Sequence, residues 1–230
     1  MAQMTLFVVL FALLLPVAPG ALPMARAAAS VPPPAQEETL TPDQLATATA
    51  PRTLGSPDAP VTLVEYSSLS CSHCAQFHAE VFPQIKAAYI DTGKVRFVFR
   101  HLPTSAPAMG AAMGALCAAP NDEGATTQGT GPDYFALLDA LFASQRDWAF
   151  TRAWRDKMKA HIPLTPAALE ACLASPGLKA FVVGDVEKAG QDYAIDATPS
   201  FVVNGESVIR GAQDYATFAG ALDAALRAAP

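Results

Sequence analysis

Val61-Thr62-Leu63-Val64-Glu65-Tyr66, followed after four residues by Cys71-Ser72-His73-Cys74, is the stretch that decides the fold. The first six residues form an apolar run of strand length. The segment after Cys71 carries Cys74, Phe77, Val81, Ile85 and Tyr89 at helical spacings of three and four. A strand therefore delivers Cys71 to the N-terminus of a helix. There, unpaired backbone N–H groups and the macrodipole favour an anion, so the thiolate is stabilised over the thiol. Thiolate is the reactive form in disulfide exchange, and two cysteines separated by two residues at this place read as a redox pair. Pro83 lies within the helix and predicts a kink. Asp91-Thr92-Gly93 ends it, residues 95–99 read as the next strand, and the whole makes a parallel βαβ unit.

From about residue 107 to 194 the pattern is helical. Residues 109–118 are rich in small side chains, 134–141 are amphipathic, and 150–160 carry Trp154. Thr165-Pro166 reads as an N-cap followed by Pro at N1, leading into 167–174, and 178–193 form a further helix. A polar, Gly-rich loop spans 121–132. Residues 201–203 and 206–209 then flank Asn204-Gly205, a strong hairpin signal. A closing helix over 214–227 would turn Phe218, Leu222 and Leu226 inward. The order βαβ, helical block, ββα lets the two ends share one sheet. The expected α/β architecture is a thioredoxin-like fold, residues 55–104 and 195–230, with an inserted α-helical domain over 105–194.

The chain has 230 residues, and its first 25 carry no charged side chain. An apolar run from Leu6 to Leu15, followed by small residues with A-x-A patterns near 25–29, reads as a signal peptide over 1–29. The alternative is an uncleaved anchor, but the run is short for a membrane span and Pro16, Pro19 and Pro23 interrupt the residues beyond it. Removing 1–29 takes away only Arg26 and leaves 14 basic against 21 acidic side chains, a net charge of −7. No basic cluster is present, which argues against nucleic acid or an anionic membrane surface as partner. Four cysteines in an exported chain suggest two disulfides in an oxidising compartment. Residues 30–54, rich in Pro, Ala and Thr, are expected to be a flexible tether.

Three features together carry a resemblance: Glu65 six positions before Cys71, the Cys71–Cys74 motif containing His73, and Thr198-Pro199 ahead of the Asn204-Gly205 hairpin. Over about residues 55–228 the chain resembles the DsbA-like family of bacterial exported thiol–disulfide oxidoreductases. The resemblance implies an exposed, low-pKa Cys71 and a buried, resolving Cys74, with Ser72 and His73 tuning the pair. The family's commonest dipeptide between the cysteines is Pro-His, so Ser72 is a departure. Glu65 is expected to be a buried acid able to take the Cys74 proton; the alternative is a solvent-facing strand residue. Thr198-Pro199 is expected to be a cis peptide packed against the active-site cysteines, receiving substrate by β-pairing. Thr before that proline occurs in isomerases of the family, whereas its best-known oxidases carry Val.

Cys117 and Cys172 lie in the inserted block. Some family members have a second bridge there, so a structural disulfide is expected, with free thiols or a relay to Cys71 as the alternatives. A zinc site built on Cys71, Cys74 and His78, with His73 as a fourth ligand, has plausible spacing but no second ligand pair nearby in sequence. Trp148, Trp154, Tyr134, Phe135 and Phe142 read as helical-block core; His101, His161 and Arg100 read as surface or capping residues. The expected protein is a periplasmic dithiol oxidase, monomeric because the Pro-rich residues before the fold are too few for a dimerisation domain, and needing no metal or organic cofactor because the cysteines themselves carry two electrons. Unfolded or reduced exported polypeptides would be its substrates, and a quinone-linked membrane partner would reoxidise it. The competing readings are an isomerase or reductase of the same fold and a zinc-binding or holdase protein on that scaffold.

Overall fold

Among the described residues five strands form one sheet in the order 52–54, 95–101, 61–67, 200–203 and 207–210, and the central strand is the apolar run that precedes the cysteines. In chain order the elements are α1 (Pro42–Thr49), β1 (Arg52–Leu54), β2 (Val61–Ser67), α2 (Ser72–Glu80), α3 (Phe82–Ile85), a π-helical turn (Lys86–Ile90) and β3 (Val95–His101). The inserted block comes next as α4 (Ala106–Ala118), α5 (Tyr134–Ala143), α6 (Gln145–Trp148), α7 (Trp154–Lys159), α8 (Pro166–Ala174) and α9 (Pro176–Tyr193). The chain returns through β4 (Ser200–Val203), β5 (Ser207–Arg210) and α10 (Tyr215–Ala228). This computed structural model describes residues 40–118 and 134–229. The expected signal peptide, residues 30–39 of the expected tether and the Gly-rich loop lie outside the described residues.

Strand β2 pairs in parallel with β3, Leu63 opposite Phe97 and Glu65 opposite Phe99. On its other side it pairs antiparallel with β4, Glu65 opposite Phe201. Residues from the two ends of the fold thus meet on one strand. The kink expected at Pro83 is real: Val81 ends α2 and starts α3, where Pro83 occupies the first turn. Cys74, Phe77, Ile85 and Tyr89 all face inward, as the stripe predicts. Phe77 is fully buried, with ring centroids 4.5 Å from Phe201 and 5.2 Å from Phe218. It ties α2 to β4 and to α10, so the aromatic core sits directly beneath the cysteine turn. At the β4–β5 turn, Asn204 (φ 50°) and Gly205 (φ 74°) take the left-handed conformations that an Asn-Gly hairpin requires.

Three expectations need correction. Residues 42–54 form α1 and β1 instead of a tether. Thr41 caps α1 through Gln44 in a reciprocal capping box, and Ala48 is buried. Strand β1 then pairs antiparallel with β3, Arg52 opposite Phe99. Within the inserted block, 150–153 do not join the helix that carries Trp154, and Phe150 is exposed. His101 is not a surface residue: it is buried, its Nε2 lies 2.7 Å from the Tyr134 hydroxyl, and burial drives its pKa down to about 3. Arg100 pairs with Asp185 of α9 at 3.4 Å.

Cys117 of α4 and Cys172 of α8 are joined by a disulfide, with Cα atoms 6.3 Å apart and a sequence separation of 55. In the chain-entropy account, closing a loop of this length stabilises by about 4 kcal/mol. Replacing both cysteines by alanine is therefore expected to lower the unfolding free energy by about that amount. Denaturant unfolding checks the loss, and an unchanged rate of Cys71 alkylation would separate it from damage to the redox turn.

Candidate active site

Cys71 is the N-cap residue of α2, with extended backbone (φ −86°, ψ 121°), so its side chain lies over the unpaired N–H groups of the first turn. Its own N–H donates to Ser68 O at 2.9 Å, closing the turn out of β2. The sulfur is half-buried and lies 3.4 Å from the carbonyl oxygen of Thr198. The Thr198–Pro199 peptide is cis. Strand β4, reached across the sheet, thus brings the backbone before it against the Cys71 sulfur, while Ser72 and His73 stand exposed at the turn.

The two sulfurs, neither of them in a disulfide here, sit in opposite electrostatic settings. Cys71 is lowered from 9.0 to about 5. The main cause is a hydrogen bond from the Cys74 thiol; contact with Thr198 and the backbone N–H groups of Cys74 and His73 add to it, against the opposing effect of burial. Cys74 is fully buried, and burial, its pairing with Cys71 and the Glu65 charge push its thiol far above the ordinary range. One sulfur is therefore ionised and reachable. The other is protonated and shielded one helical turn away.

Glu65 is fully buried on β2, and its Oε2 lies 3.0 Å from His78 Nε2. Its other oxygen, Oε1, is buried with no hydrogen-bond partner. His78 Nδ1 faces Asp139 Oδ1 of α5 at 3.5 Å, an ion-pair contact whose geometry falls short of a hydrogen bond. Burial pulls His78 down, but the Glu65 carboxylate and Asp139 outweigh it and hold the imidazole at about 9. His78, which the sequence offers only as a zinc ligand, is instead the partner of Glu65. Among the described residues no three His, Cys, Asp or Glu side chains are grouped to hold a metal ion. A cleft of about 540 Å3 opens beside the turn, lined in part by Ser72, His73, Gln76, Asp139, Phe142 and Arg146.

Gln145 is the second residue that sequence reasoning misses. It is buried on α6, and its Nε2 donates to Leu69 O at 2.9 Å and to Cys71 O at 3.0 Å. The inserted block thus holds the backbone on which Cys71 sits. No local pattern marks this role; a glutamine opening a four-residue helix carries no signal of what lies above it.

A half-buried thiolate at a helix N-terminus, a buried thiol behind it and a cis-proline strand against it define a thioredoxin-fold dithiol site. A family model described as thioredoxin matches residues 47–224. Disulfide bond formation protein D of Bacillus subtilis is 31% identical over 167 residues, 70% of this chain and 71% of that protein. A Rickettsia conorii protein named as a putative protein-disulfide oxidoreductase is 30% identical over 176 residues, 75% of this chain. The chain spans only 59% of that relative's length. The crystal structure of Wolbachia pipientis alpha-DsbA1 superposes with a TM-score of 0.65 at 28% identity, covering 82% of this chain and 94% of that one. That of oxidised BdbD from Bacillus subtilis gives 0.62 at 27% identity, covering 77% and 93%. The chain belongs to the thioredoxin family and, within it, to the DsbA-like disulfide oxidoreductases.

Three outcomes test this site. With a folded-state pKa below the unfolded one, the Cys71 thiolate stabilises the reduced protein fully above about pH 9; the contribution fades as pH falls and is gone below about 5. Reduced wild type should lose stability relative to Cys71→Ser over that window, and alkylation of Cys71 should have its midpoint near pH 5. Gln145→Leu leaves a buried carbonyl unpaired and should cost about 1–3 kcal/mol in denaturant unfolding.

Proposed function

We propose that this chain is an exported thiol–disulfide oxidoreductase acting as a dithiol oxidase in the periplasm. It passes the Cys71–Cys74 disulfide to cysteine pairs in newly exported, unfolded polypeptides. The observation that carries the reading is the opposed state of the two sulfurs. Stabilising the Cys71 thiolate favours the reduced enzyme, which makes the disulfide form oxidising.

The chemistry balances within the cysteines. A substrate thiolate attacks Cys71 Sγ, the Cys71–Cys74 bond breaks, and Cys74 leaves and takes up a proton supplied by solvent, with Glu65 as the relay. The second substrate thiolate then attacks the mixed disulfide, forming the substrate disulfide and releasing Cys71 as the favoured thiolate. Two electrons end on the enzyme, so the exchange itself calls for no metal or organic cofactor. The backbone at Thr198–Pro199 receives the substrate segment as an added strand. His73 and Ser72 tune the first turn of α2. A quinone-linked membrane partner, the one implied by the family, takes the electrons from the reduced pair.

An isomerase is the second reading, favoured by Thr198 ahead of the cis-proline, a residue the chain shares with isomerases of the family. A redox titration in glutathione buffers separates the two. A midpoint above about −150 mV is expected for the oxidase, and one below about −250 mV would overturn it. Cys71→Ala should abolish oxidation of a reduced, unfolded substrate. On a sizing column the protein should run as a monomer.

A further inference from the structure

Beneath the active-site turn three ionisable side chains meet from three parts of the fold: Glu65 from β2, His78 from α2 and Asp139 from α5. His78 donates to one Glu65 oxygen at 3.0 Å, while Oε1, buried and without a partner, is left as the open acceptor. The imidazole is enclosed by aromatic rings, stacked on Phe142 at 4.4 Å and within 4.9 Å of Phe82 and 5.6 Å of Phe77 by centroid. The fully buried Cys74 lies one turn before His78 on the same helix and feels the Glu65 charge. A carboxylate in such apolar surroundings is costly to bury without a partner. The imidazole beside it offsets that cost.

We propose that His78, held by Asp139 of the inserted block, is a positioning residue that fixes Glu65 through Oε2 and leaves Oε1 free for the Cys74 proton. The inference rests on the exchange reading above and specifies its proton step. When Cys71 is bonded to a partner sulfur, the Cys74 S–H proton passes to Glu65 Oε1. The sulfur electron pair forms the Cys74–Cys71 bond, and the Cys71–partner bond breaks to release a partner thiolate. In the reverse direction Glu65 returns the proton as Cys74 leaves. The other ionisable groups around this cluster are His73 and Glu80 of α2 and Arg146 of α6 at the cleft mouth, Tyr134 of α5, and His101 of β3 behind Phe99.

The His78 charge is present below about pH 9 and lost above it, so its support of Glu65 fades as pH rises through that value. The test uses the intact protein, loaded as a Cys71–glutathione mixed disulfide, with release of glutathione by Cys74 measured against pH. The His78 ring is titrated alongside by NMR. Wild type should resolve with an alkaline limb near 9 that coincides with the ring titration. Asp139→Asn, at a side chain 58% exposed and outside the core, should move both to lower pH together. His78→Gln keeps a donor near Glu65 without the charge, and should slow resolution at least tenfold while leaving the Cys71 alkylation profile in place.

A limb that stays put in Asp139→Asn, or wild-type resolution in His78→Gln, overturns the inference alone. A wild-type protein that neither forms nor resolves the mixed disulfide overturns the exchange reading, and the inference falls with it. If His78→Gln does not fold, Asp139→Asn carries the test.

Discussion

A negative charge on one sulfur has to be held at the end of a helix, half-exposed to water, with an uncharged sulfur packed a turn behind it. Nearly every part of the fold bears on that requirement. The apolar core strand β2 sets where the helix begins, and Phe77 locks the helix down onto β4 and α10. Burial of Cys74 is what separates the two thiols. Were the core beneath the turn looser, water would reach both sulfurs and their difference would shrink.

The inserted helical block is more than a cover. Through Gln145 it fixes the carbonyls of Leu69 and Cys71, and through Asp139 it reaches the imidazole that faces Glu65. Both contacts are polar, and a packing defect at Gln145 would leave the buried Leu69 carbonyl unpaired, so block and sheet must dock in one register. The Cys117–Cys172 bridge holds α4 to α8, within the block itself, and supports that docking from behind.

Much of this is legible in the sequence because the signals are periodic or local. The inward stripe from Cys74 to Tyr89, the kink at Pro83, the cap at Thr165 and the Asn204-Gly205 turn all depend on neighbours within one or two turns. Residues 42–54 mislead where composition is weighed over motif: Thr41-Pro42-Asp43-Gln44 is a capping box with Pro at N1, and it outranks the Pro-rich segment before it. His101 misleads because its partner, Tyr134, is distant in sequence. His78 stands on the inward face, four residues after Cys74, and that position alone marks it as buried. What it faces cannot be read, since Glu65 and Asp139 come from elements that only the tertiary fold brings together.

The sheet's two outermost strands have a consequence of their own. β1 has three residues and is buried, and β5 has four, lying between Glu206 and Gly211 with Arg210 at its end. An outer strand is a template on which any extended chain can lay itself down, and longer templates hold more tightly. A protein that exchanges disulfides with unfolded chains, as proposed above, would meet such visitors constantly. With both rims this short, a passing polypeptide finds little purchase along the sheet's sides, and sticking there does not compete with arrival at the sulfur.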